Sequence, residues 1–353
     1  MSGVDIVLRC DVGGSTGVGH LLRCIYLLQA CGRIGLSAEL SIKMRGGGVV
    51  PFVLEQAIPF RVVEDDATTT QEAEAVCNLA VLDLMHSGDN HHQRYVASLI
   101  DEHHRRGRAV ALIDSVAELC YASGLARPDI VASPYLGVEL GPRPRCDLWL
   151  AGATYAPLAP WLEQAATLRG HIQFPVRRVL VTMGGSDPAE LTTQVADCYL
   201  HSELRDQYRL RIIVGPYFAA KQEAALTAHA PNVEIVRSPA SLSEHYQWAD
   251  VVVTTGGLTR YECAALGLPC LLIIPHELHK DYFQRFADLR IAKVLHLQHN
   301  EDRSAVITRA LSEFLTDTQA LRDFARNGPV RVPPDGAIRL AHALAETARG
   351  RES

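Results

Sequence analysis

The sequence predicts an α/β protein with two doubly wound parallel sheets, each carrying helices on both faces. Short apolar runs alternate with helix-like segments along the chain, and after a proline-bounded stretch, Gln173-Phe174-Pro175, the alternation starts again. Glycine-rich turns follow several of the apolar runs, as expected where the strands of an open parallel sheet lead into their helices. A length of 353 residues is enough for two such domains.

The predicted strands are read from the apolar runs. The first series comprises Val4–Cys10, Leu36–Ile42, Phe60–Val63, Leu79–Asp83, Ala109–Ile113, Asp129–Ala132 and Leu148–Leu150. The second comprises Arg178–Met183, Leu210–Val214, Val233–Val236, Val251–Thr254, Cys270–Ile274 and Lys293–Leu297. We expect an N-terminal domain over residues 1–158, a C-terminal domain over 176–325 and a helical tail over 326–353, with a ligand cleft between the two domains.

Composition narrows the class of partner. A net charge of -6, with no concentrated Lys/Arg tract, argues against nucleic acid or an anionic membrane as the main partner and favours a small molecule. Nine scattered cysteines without a CxxC pair predict reduced thiols, as in a cytoplasmic protein. No leader pattern occurs, and the longest apolar run, Leu266 to Pro275, is too short to span a bilayer, so we expect no transmembrane segment. The oligomeric state stays open.

The turn Gly17-Val18-Gly19-His20 lies where the first predicted strand leads into a helix. Glycines at that junction let a ligand approach the backbone, and the free amides and the helix dipole favour an anionic or electron-rich group. The same dipole disfavours a second positive charge, so we expect His20 to be neutral and able to take a proton. Asp11, just past the first strand, is expected to orient His20, to bind a substrate hydroxyl or simply to cap the turn.

Two common glycine-loop motifs do not fit this turn. His20 and Leu21 stand where a P-loop has its phosphate-binding lysine and its magnesium-binding hydroxyl. In a dinucleotide fingerprint counted from Gly17, the third glycine would fall at Leu22, and the second predicted strand is followed by Lys43 in place of a ribose-binding acid. The sequence therefore argues against a Walker A motif and against NAD, and we expect no cofactor.

The second predicted domain has two glycine turns of its own, each at the carboxyl end of a strand. In Met183-Gly184-Gly185-Ser186-Asp187-Pro188, Asp187 suits the N-cap of the next helix and Pro188 its first position. In the segment from Thr254 to Glu262, amides around Gly256 to Thr259 are placed to hold a diphosphate, and Glu262 lies about one turn further on, where a sugar diol would fall. Each turn alone would also serve as an ordinary helix cap.

Taken together, these motifs resemble those of the PseG and SpsG family of nucleotide-sugar enzymes, which are relatives of MurG with the two-domain GT-B fold. The resemblance runs from about residue 4 to about residue 297 and rests on Arg9-Cys10-Asp11, Gly17-x-Gly19-His20-x-x-Arg23-Cys24, Met183-Gly184-Gly185-Ser186-Asp187 and Gly256-Gly257-x-Thr259-x-x-Glu262-x-x-x-Leu266-Gly267-x-Pro269. It implies a UDP-sugar held mainly by the C-terminal domain and metal-independent attack at the anomeric carbon, with UDP leaving.

The resemblance also implies residue roles. His20 matches the catalytic base, Glu262 the ribose-binding acid, and Gly256 to Thr259 the diphosphate loop. The set expected to contact the UDP-sugar is Gly17, Gly19, Gly184, Gly185, Ser186, Thr255, Gly256, Gly257, Leu258, Thr259, Glu262, His279 and Lys280. His279 and Lys280 follow a strand where relatives contact the donor, and an exposed polar loop is the alternative interpretation. Asp83 and Asp114, each at the end of a first-domain strand, are candidates for acceptor contacts.

Departures from PseG itself, a UDP-sugar hydrolase, concern the sugar pocket. Met85 stands where PseG has a tyrosine, Tyr261 where an asparagine is common, and the segment Tyr155 to Pro160 lacks an expected arginine. Because the donor elements are kept and the hydrolase elements are changed, we predict an inverting glycosyltransferase with a small soluble acceptor. A nucleobase such as cytosine, as in cytosylglucuronate synthases, would fit. A PseG-like hydrolase and a noncatalytic UDP-sugar-binding protein are the alternatives.

Paired histidines raise the question of a metal. In His91-His92 and His103-His104, adjacent residues on a helix diverge by about 100°, so neither pair forms a ligand set. We expect a solvated polar face at both places and assign no metal.

Overall fold

The computed structural model describes residues 4–12, 19–44, 58, 60–63, 77–84, 90–113, 127–168, 173–229, 233–275, 280–299 and 301–349. The chain divides into two compact units. The first comprises Met1–Pro160 together with Asp335–Ser353, and the second comprises Trp161–Pro334.

Each unit is built on one parallel sheet. The strands of the first are β1 Val4–Val12, β2 Ala38–Met44, β3 Phe60–Val63, β4 Cys77–Asp83, β5 Ala109–Ile113, β6 Ile130–Ser133 and β7 Leu148–Ala151. Those of the second are β8 Arg178–Thr182, β9 Arg209–Val214, β10 Glu234–Arg237, β11 Val251–Thr254, β12 Cys270–Ile274 and β13 Lys293–His296. The strand orders are β3-β2-β1-β4-β5-β6-β7 in the first sheet and β10-β9-β8-β11-β12-β13 in the second, and the neighbouring strands in both orders pair in parallel.

Helices lie between many of the strands along the chain, and three more follow the last strand. In chain order the described α-helices are α1 Gly19–Arg33, α2 Asn90–Arg105, α3 Trp161–Leu168, α4 Leu191–Leu200, α5 Leu204–Gln207, α6 Ala220–His229, α7 Ser243–Trp248, α8 Thr259–Ala265, α9 Lys280–Asp288, α10 Arg303–Thr316, α11 Thr318–Arg331 and α12 Gly336–Arg349. Within the described ranges, no helix is both long enough and apolar enough to cross a membrane.

The predicted fold class, two doubly wound sheets, is confirmed, and every predicted strand lies within two residues of an observed one. The central strands show why strands could be predicted here from continuous apolar runs. Residues 6–12 of β1, all of β5 and all of β12 are buried, because helices cover both faces of a parallel sheet and leave no polar alternation.

Both sheets contain a switch point, where the strand order reverses direction. In the first sheet it lies between β1 and β4, and in the second between β8 and β11. Open α/β sheets bind ligands outside the carboxyl ends of the two strands that flank such a point. At the first switch point, His20 lies in the helix after β1 and Asp83 is the last residue of β4. At the second, the two glycine turns follow Thr182 of β8 and Thr254 of β11.

The last helix, α12, belongs to the first unit. It packs on α1, β1 and β4, and its Leu340 and Leu344 are fully buried in the same apolar cluster as Leu8 of β1. Gly336 opens the helix against the backbone of Ala156, and a Cβ at Gly336 would collide with that backbone. The tail predicted over 326–353 is therefore helical over Gly336–Arg349, and the apolar face of this helix completes the core of the first unit.

Candidate active site

His20 lies in the first turn of α1, and its ring faces the end of β4. Its Nδ1 atom is 2.7 Å from Oδ1 of Asp83, and its side chain is 20% exposed while that of Asp83 is 0% exposed. A carboxylate can only accept a hydrogen bond, so His20 donates to Asp83 in the tautomer that carries its proton on Nδ1. Nη2 of Arg23 lies 2.9 Å from the same Nδ1 and can only donate, so this second contact suits the tautomer protonated on Nε2. In the tautomer that donates to Asp83, Nε2 has the free electron pair, which is the arrangement of a general base oriented by an acid.

Arg23 completes this group, which we call the His20 cluster: His20, Arg23, Asp83 and Tyr135. The Nε of Arg23 donates to Oδ2 of Asp83 at 2.9 Å, and its Nη2 donates to Oδ1 at 2.5 Å. Its Nη1 donates to the hydroxyl of Tyr135 at 2.8 Å. Arg23 therefore holds both oxygens of the carboxylate that orients His20.

The charges of the cluster compensate one another. Burial alone would raise the pKa of Asp83, but the Arg23 guanidinium and the His20 ring hold that pKa below its ordinary value. Burial acts to lower the pKa of Arg23, yet the Asp83 carboxylate and Tyr135 keep it above its usual range. Asp83 is thus an ionised carboxylate in a fully buried position.

Two assignments made from the sequence change here. The carboxylate beside His20 is that of Asp83 and not that of Asp11, which is fully buried in β1 with Nη2 of Arg9 3.7 Å from its Oδ1. Asp83 was expected to contact the acceptor, but it is fully buried and both of its oxygens accept from Arg23. We therefore reassign Asp83 from acceptor contact to partner of His20.

The turn after β8 carries Gly184, Gly185 and Ser186. Gly184 has φ 83°, a conformation that glycine adopts without strain, and nothing described lies within 4 Å of where its Cβ would be. On its other side the turn meets Gly215, whose Cβ would lie 2.5 Å from the carbonyl oxygens of Gly184 and Gly185. The amide of Tyr217 donates to the carbonyl of Gly185 at 2.8 Å and fixes this contact.

Asp187 caps the next helix from further away than the sequence suggested. Helix α4 begins at Leu191, so Pro188 is not its first residue and Asp187 is not its N-cap. Asp187 instead adopts φ 41°, and its carboxylate accepts from the amides of Leu191 and Thr192 at 2.9 and 2.8 Å. Burial raises the pKa of Asp187 although these amides and Gln222 act to lower it. The predicted capping role is present, and the helix start was wrong by three residues.

The turn after β11 places Thr255, Gly256, Gly257 and Leu258 ahead of α8. Gly257 has φ 72°, and a Cβ there would meet nothing described within 4 Å, so one side of the turn is open to a ligand. Gly256 is close to Phe283, whose Cζ would lie 3.1 Å from a Cβ at Gly256. No side chain caps the start of α8 at Leu258, which leaves its first amides available.

Glu262 is buried in α8 and accepts a hydrogen bond from one described side chain. The hydroxyl of Tyr246 donates to its Oε2 at 2.8 Å, and the residue as a whole is 5% exposed. Burial raises the pKa of Glu262 to about 7, although the Tyr246 hydroxyl acts in the opposite direction. Such a carboxylate has acceptor capacity left for ligand hydroxyl groups.

Three of the residues predicted for the site, Gly17, Asp114 and His279, lie outside the described residues. Gly19 is the first residue of α1, and a Cβ on it would meet nothing described within 4 Å. Ser186 and Thr259 are half-buried, and Lys280 is exposed at the start of α9. Sequence reasoning missed Tyr135 and Tyr246, because neither stands in a recognisable motif and both reach the site from other elements.

The second unit is similar in sequence to known glycosyltransferases. Residues 179–325 match the model of the glycosyltransferase family 28 C-terminal domain. The UDP-N-acetylglucosamine--N-acetylmuramyl-(pentapeptide) pyrophosphoryl-undecaprenol N-acetylglucosamine transferase of Leptospira interrogans is 28% identical over 152 residues, 41% of this chain and 41% of the relative. That of Pseudomonas paraeruginosa is 29% identical over 198 residues, 52% and 53% of the two chains. This chain thus spans from about two fifths to about half of these relatives.

Solved structures match over the whole length. The crystal structure of MurG from Acinetobacter baumannii has a TM-score of 0.59 and 16% identity, and it covers 97% of this chain and 99% of its own. The UDP-GlcNAc 2-epimerase from Neisseria meningitidis, bound to UDP-GlcNAc, has a TM-score of 0.56 and 10% identity, covering 98% and 100%. These likenesses show the fold, which is GT-B as the resemblance implied. The second unit is therefore similar to the C-terminal domain of family 28 glycosyltransferases, while a PseG-like specificity stays a prediction.

Proposed function

We propose that this protein is a UDP-sugar-dependent glycosyltransferase that transfers the sugar to a small acceptor, with His20 as the general base. The observation that carries the proposal is the family 28 match over residues 179–325, which includes both glycine turns of the second unit and Glu262. The named relatives use a UDP-sugar, and this donor is proposed here for the same region.

In the proposed complex, the turn Thr255–Leu258 holds the diphosphate and Glu262 accepts from the ribose hydroxyls. The open side of Gly257 and the uncapped amides at the start of α8 support the first role. The acceptor capacity of Glu262 beside Tyr246 supports the second. The turn Gly184–Ser186, at the same switch point, is proposed to contact the sugar or the diphosphate.

The proposed reaction is a single inverting displacement. A nucleophilic O–H or N–H group of the acceptor attacks the anomeric carbon, the bond from that carbon to the diphosphate oxygen breaks, and UDP leaves with the electron pair. Nε2 of His20 takes the proton, and the Nδ1–H bond to Asp83 stabilises the imidazolium that results. Backbone amides receive the charge of the leaving group, and we propose that no metal is needed.

The test is UDP release from a panel of UDP-sugars, with and without small acceptors that include nucleobases. A transferase releases UDP quickly only when its acceptor is present, and EDTA leaves the rate unchanged. UDP and free sugar produced at the same rate without an acceptor would replace this proposal with a hydrolase. Tight UDP-sugar binding with no turnover under any condition would replace it with a noncatalytic binding protein.

A further inference from the structure

Arg260 is a buried cation enclosed by aromatic rings. It is the second residue of α8 and is 7% exposed. Its guanidinium carbon lies 4.5 Å from the ring centroid of Phe283, 5.0 Å from that of Tyr261 and 5.5 Å from that of Phe286. Because two of these rings belong to α9, the side chain is held between two helices with little freedom to turn away.

The guanidinium has no acidic partner among the residues that the structure describes, and its Nε donates to none of them. Arg23 and Arg178 differ from Arg260, because each donates two hydrogen bonds to a buried aspartate. The aspartate is Asp83 for Arg23 and Asp250 for Arg178. Removing a cation from water is costly when no anion compensates for it, and contact with aromatic faces offsets only part of that cost. A buried arginine surrounded by rings is therefore suited to an anion that arrives from outside.

The position of Arg260 indicates which anion. Its Nη1 lies 3.6 Å from where a Cβ of Gly256 would be, so the guanidinium lies alongside the turn Thr255–Leu258. The absence of a side chain at Gly256 is what permits this approach, because Phe283 already lies 3.1 Å from the same point. An anion seated on that turn comes within reach of a planar, fixed guanidinium, which matches phosphate oxygens in pairs.

We propose that Arg260 binds the diphosphate of the nucleotide donor and stabilises its charge as the bond to the sugar breaks. This inference rests on the proposed function and adds a side-chain cation to a subsite otherwise formed by backbone amides. The aromatic enclosure holds the cation in place before the reaction, so it needs no reorganisation when the leaving group becomes charged.

Calorimetric titration with UDP and with uridine, which lacks the diphosphate, tests the assignment. In Arg260→Met the long apolar side chain keeps the contacts with the three rings and removes the charge. We expect UDP to bind this variant at least about tenfold more weakly, and uridine to bind within about twofold of the wild type. Arg260→Lys keeps a positive charge but loses the planar guanidinium, so its affinity for UDP should lie between that of the wild type and that of Arg260→Met.

A matched control is Arg211→Met. The Arg211 guanidinium also lies over an aromatic ring, that of Trp248 at 4.0 Å, but its Nη2 is paired with Glu234 at 2.9 Å. The ratio of UDP to uridine affinity should not change in this variant. If Arg260→Met retains the wild-type ratio, or weakens UDP and uridine by the same factor, the phosphate role is wrong and Arg260 is structural. If the wild type itself binds no UDP, the donor proposal fails and the inference fails with it.

Discussion

Nδ1 of His20 and Oδ1 of Asp83 lie 2.7 Å apart although 63 residues separate them in the chain. The two residues meet because β1 and β4 are neighbours in the sheet, with Cys10 beside Asp83 in register, and because α1, which begins at Gly19, is the next described element after β1. This contact favours a proton on Nδ1, whereas Nη2 of Arg23, 2.9 Å from the same atom, favours a proton on Nε2. The proposed base requires the first of these tautomers, and the first prediction tests it.

Asp83→Asn should change the tautomer of His20. The asparagine amide can donate to Nδ1, which would move the ring proton to Nε2 and remove the electron pair that takes the acceptor proton. Nitrogen-15 NMR of the histidine ring should show a protonated Nδ1 in the wild type and a protonated Nε2 in the variant. Turnover should fall about a hundredfold or more, as in His20→Ala, with little change in donor affinity. The control is Asp323→Asn, a substitution at another buried acid. It should change neither the tautomer of His20 nor the turnover, because the partners of Asp323, Arg290 and Arg326, are surface residues of the second unit. A wild-type ring protonated at Nε2 would contradict the proposed base.

Arg23→Met should destabilise the first unit strongly. It leaves the fully buried Asp83 carboxylate without the cation that binds both of its oxygens, a change that typically costs about 3–5 kcal/mol. Arg178→Met is the matched control in the second unit, because the Arg178 side chain is 41% exposed and Asp250 keeps the amides of Arg177 and Arg178 as donors. The control should cost about 1 kcal/mol or less. Calorimetric unfolding of both variants would measure the difference, and equal losses would show that Asp83 does not depend on Arg23.

Glu262→Gln should alter how stability depends on pH. Burial raises the pKa of Glu262 from 4.5 to about 7, so the folded chain keeps a proton that the unfolded chain loses between these values. The contribution is fully present below pH 4.5 and is lost as the pH rises through about 7, a total of about 3 kcal/mol. The variant should therefore gain stability relative to the wild type between about pH 4.5 and about pH 8. Denaturant unfolding at both pH values measures this gain, and a pH-independent difference would mean that Glu262 titrates normally in the folded chain.

Gly215→Ala should disturb the turn that contains Gly184 and Gly185. The new methyl group would lie 2.5 Å from two carbonyl oxygens, and since backbone must move to relieve the contact, we expect a loss of about 1–3 kcal/mol. Donor affinity should fall as well if this turn contacts the UDP-sugar. Gly32→Ala in α1 is the control, because a Cβ there meets nothing described within 4 Å and should stabilise the helix by about 0.5–1 kcal/mol. A donor affinity that does not change in Gly215→Ala would remove the turn Gly184–Ser186 from the proposed site.

The sequence predicted the sheets well because parallel strands that are covered on both faces appear as continuous apolar runs. It predicted the positions of His20 and Glu262 because both stand in motifs next to glycine turns. The partners of these residues could not be predicted in the same way. Asp83, Tyr135 and Tyr246 reach His20, Arg23 and Glu262 only through tertiary packing, and nothing local distinguishes them from other strand-end acids or buried tyrosines. The signal available for Asp83 was its position at the end of a predicted strand. That position indicated that Asp83 lies near a ligand site, but it did not indicate that Asp83 contacts His20.

Because α12 belongs to the first unit, the second unit is inserted within the sequence of the first. All of the second unit lies within one continuous segment, Trp161–Pro334, whereas the first unit is encoded in two separate pieces that flank it. A fragment that ended at Pro334, where the second unit ends, would lack the helix whose Leu340 and Leu344 fill the core beside β1. Shortening the carboxyl end of the chain would therefore harm the unit that contains His20, near the opposite end, before it harmed the unit proposed to bind the nucleotide.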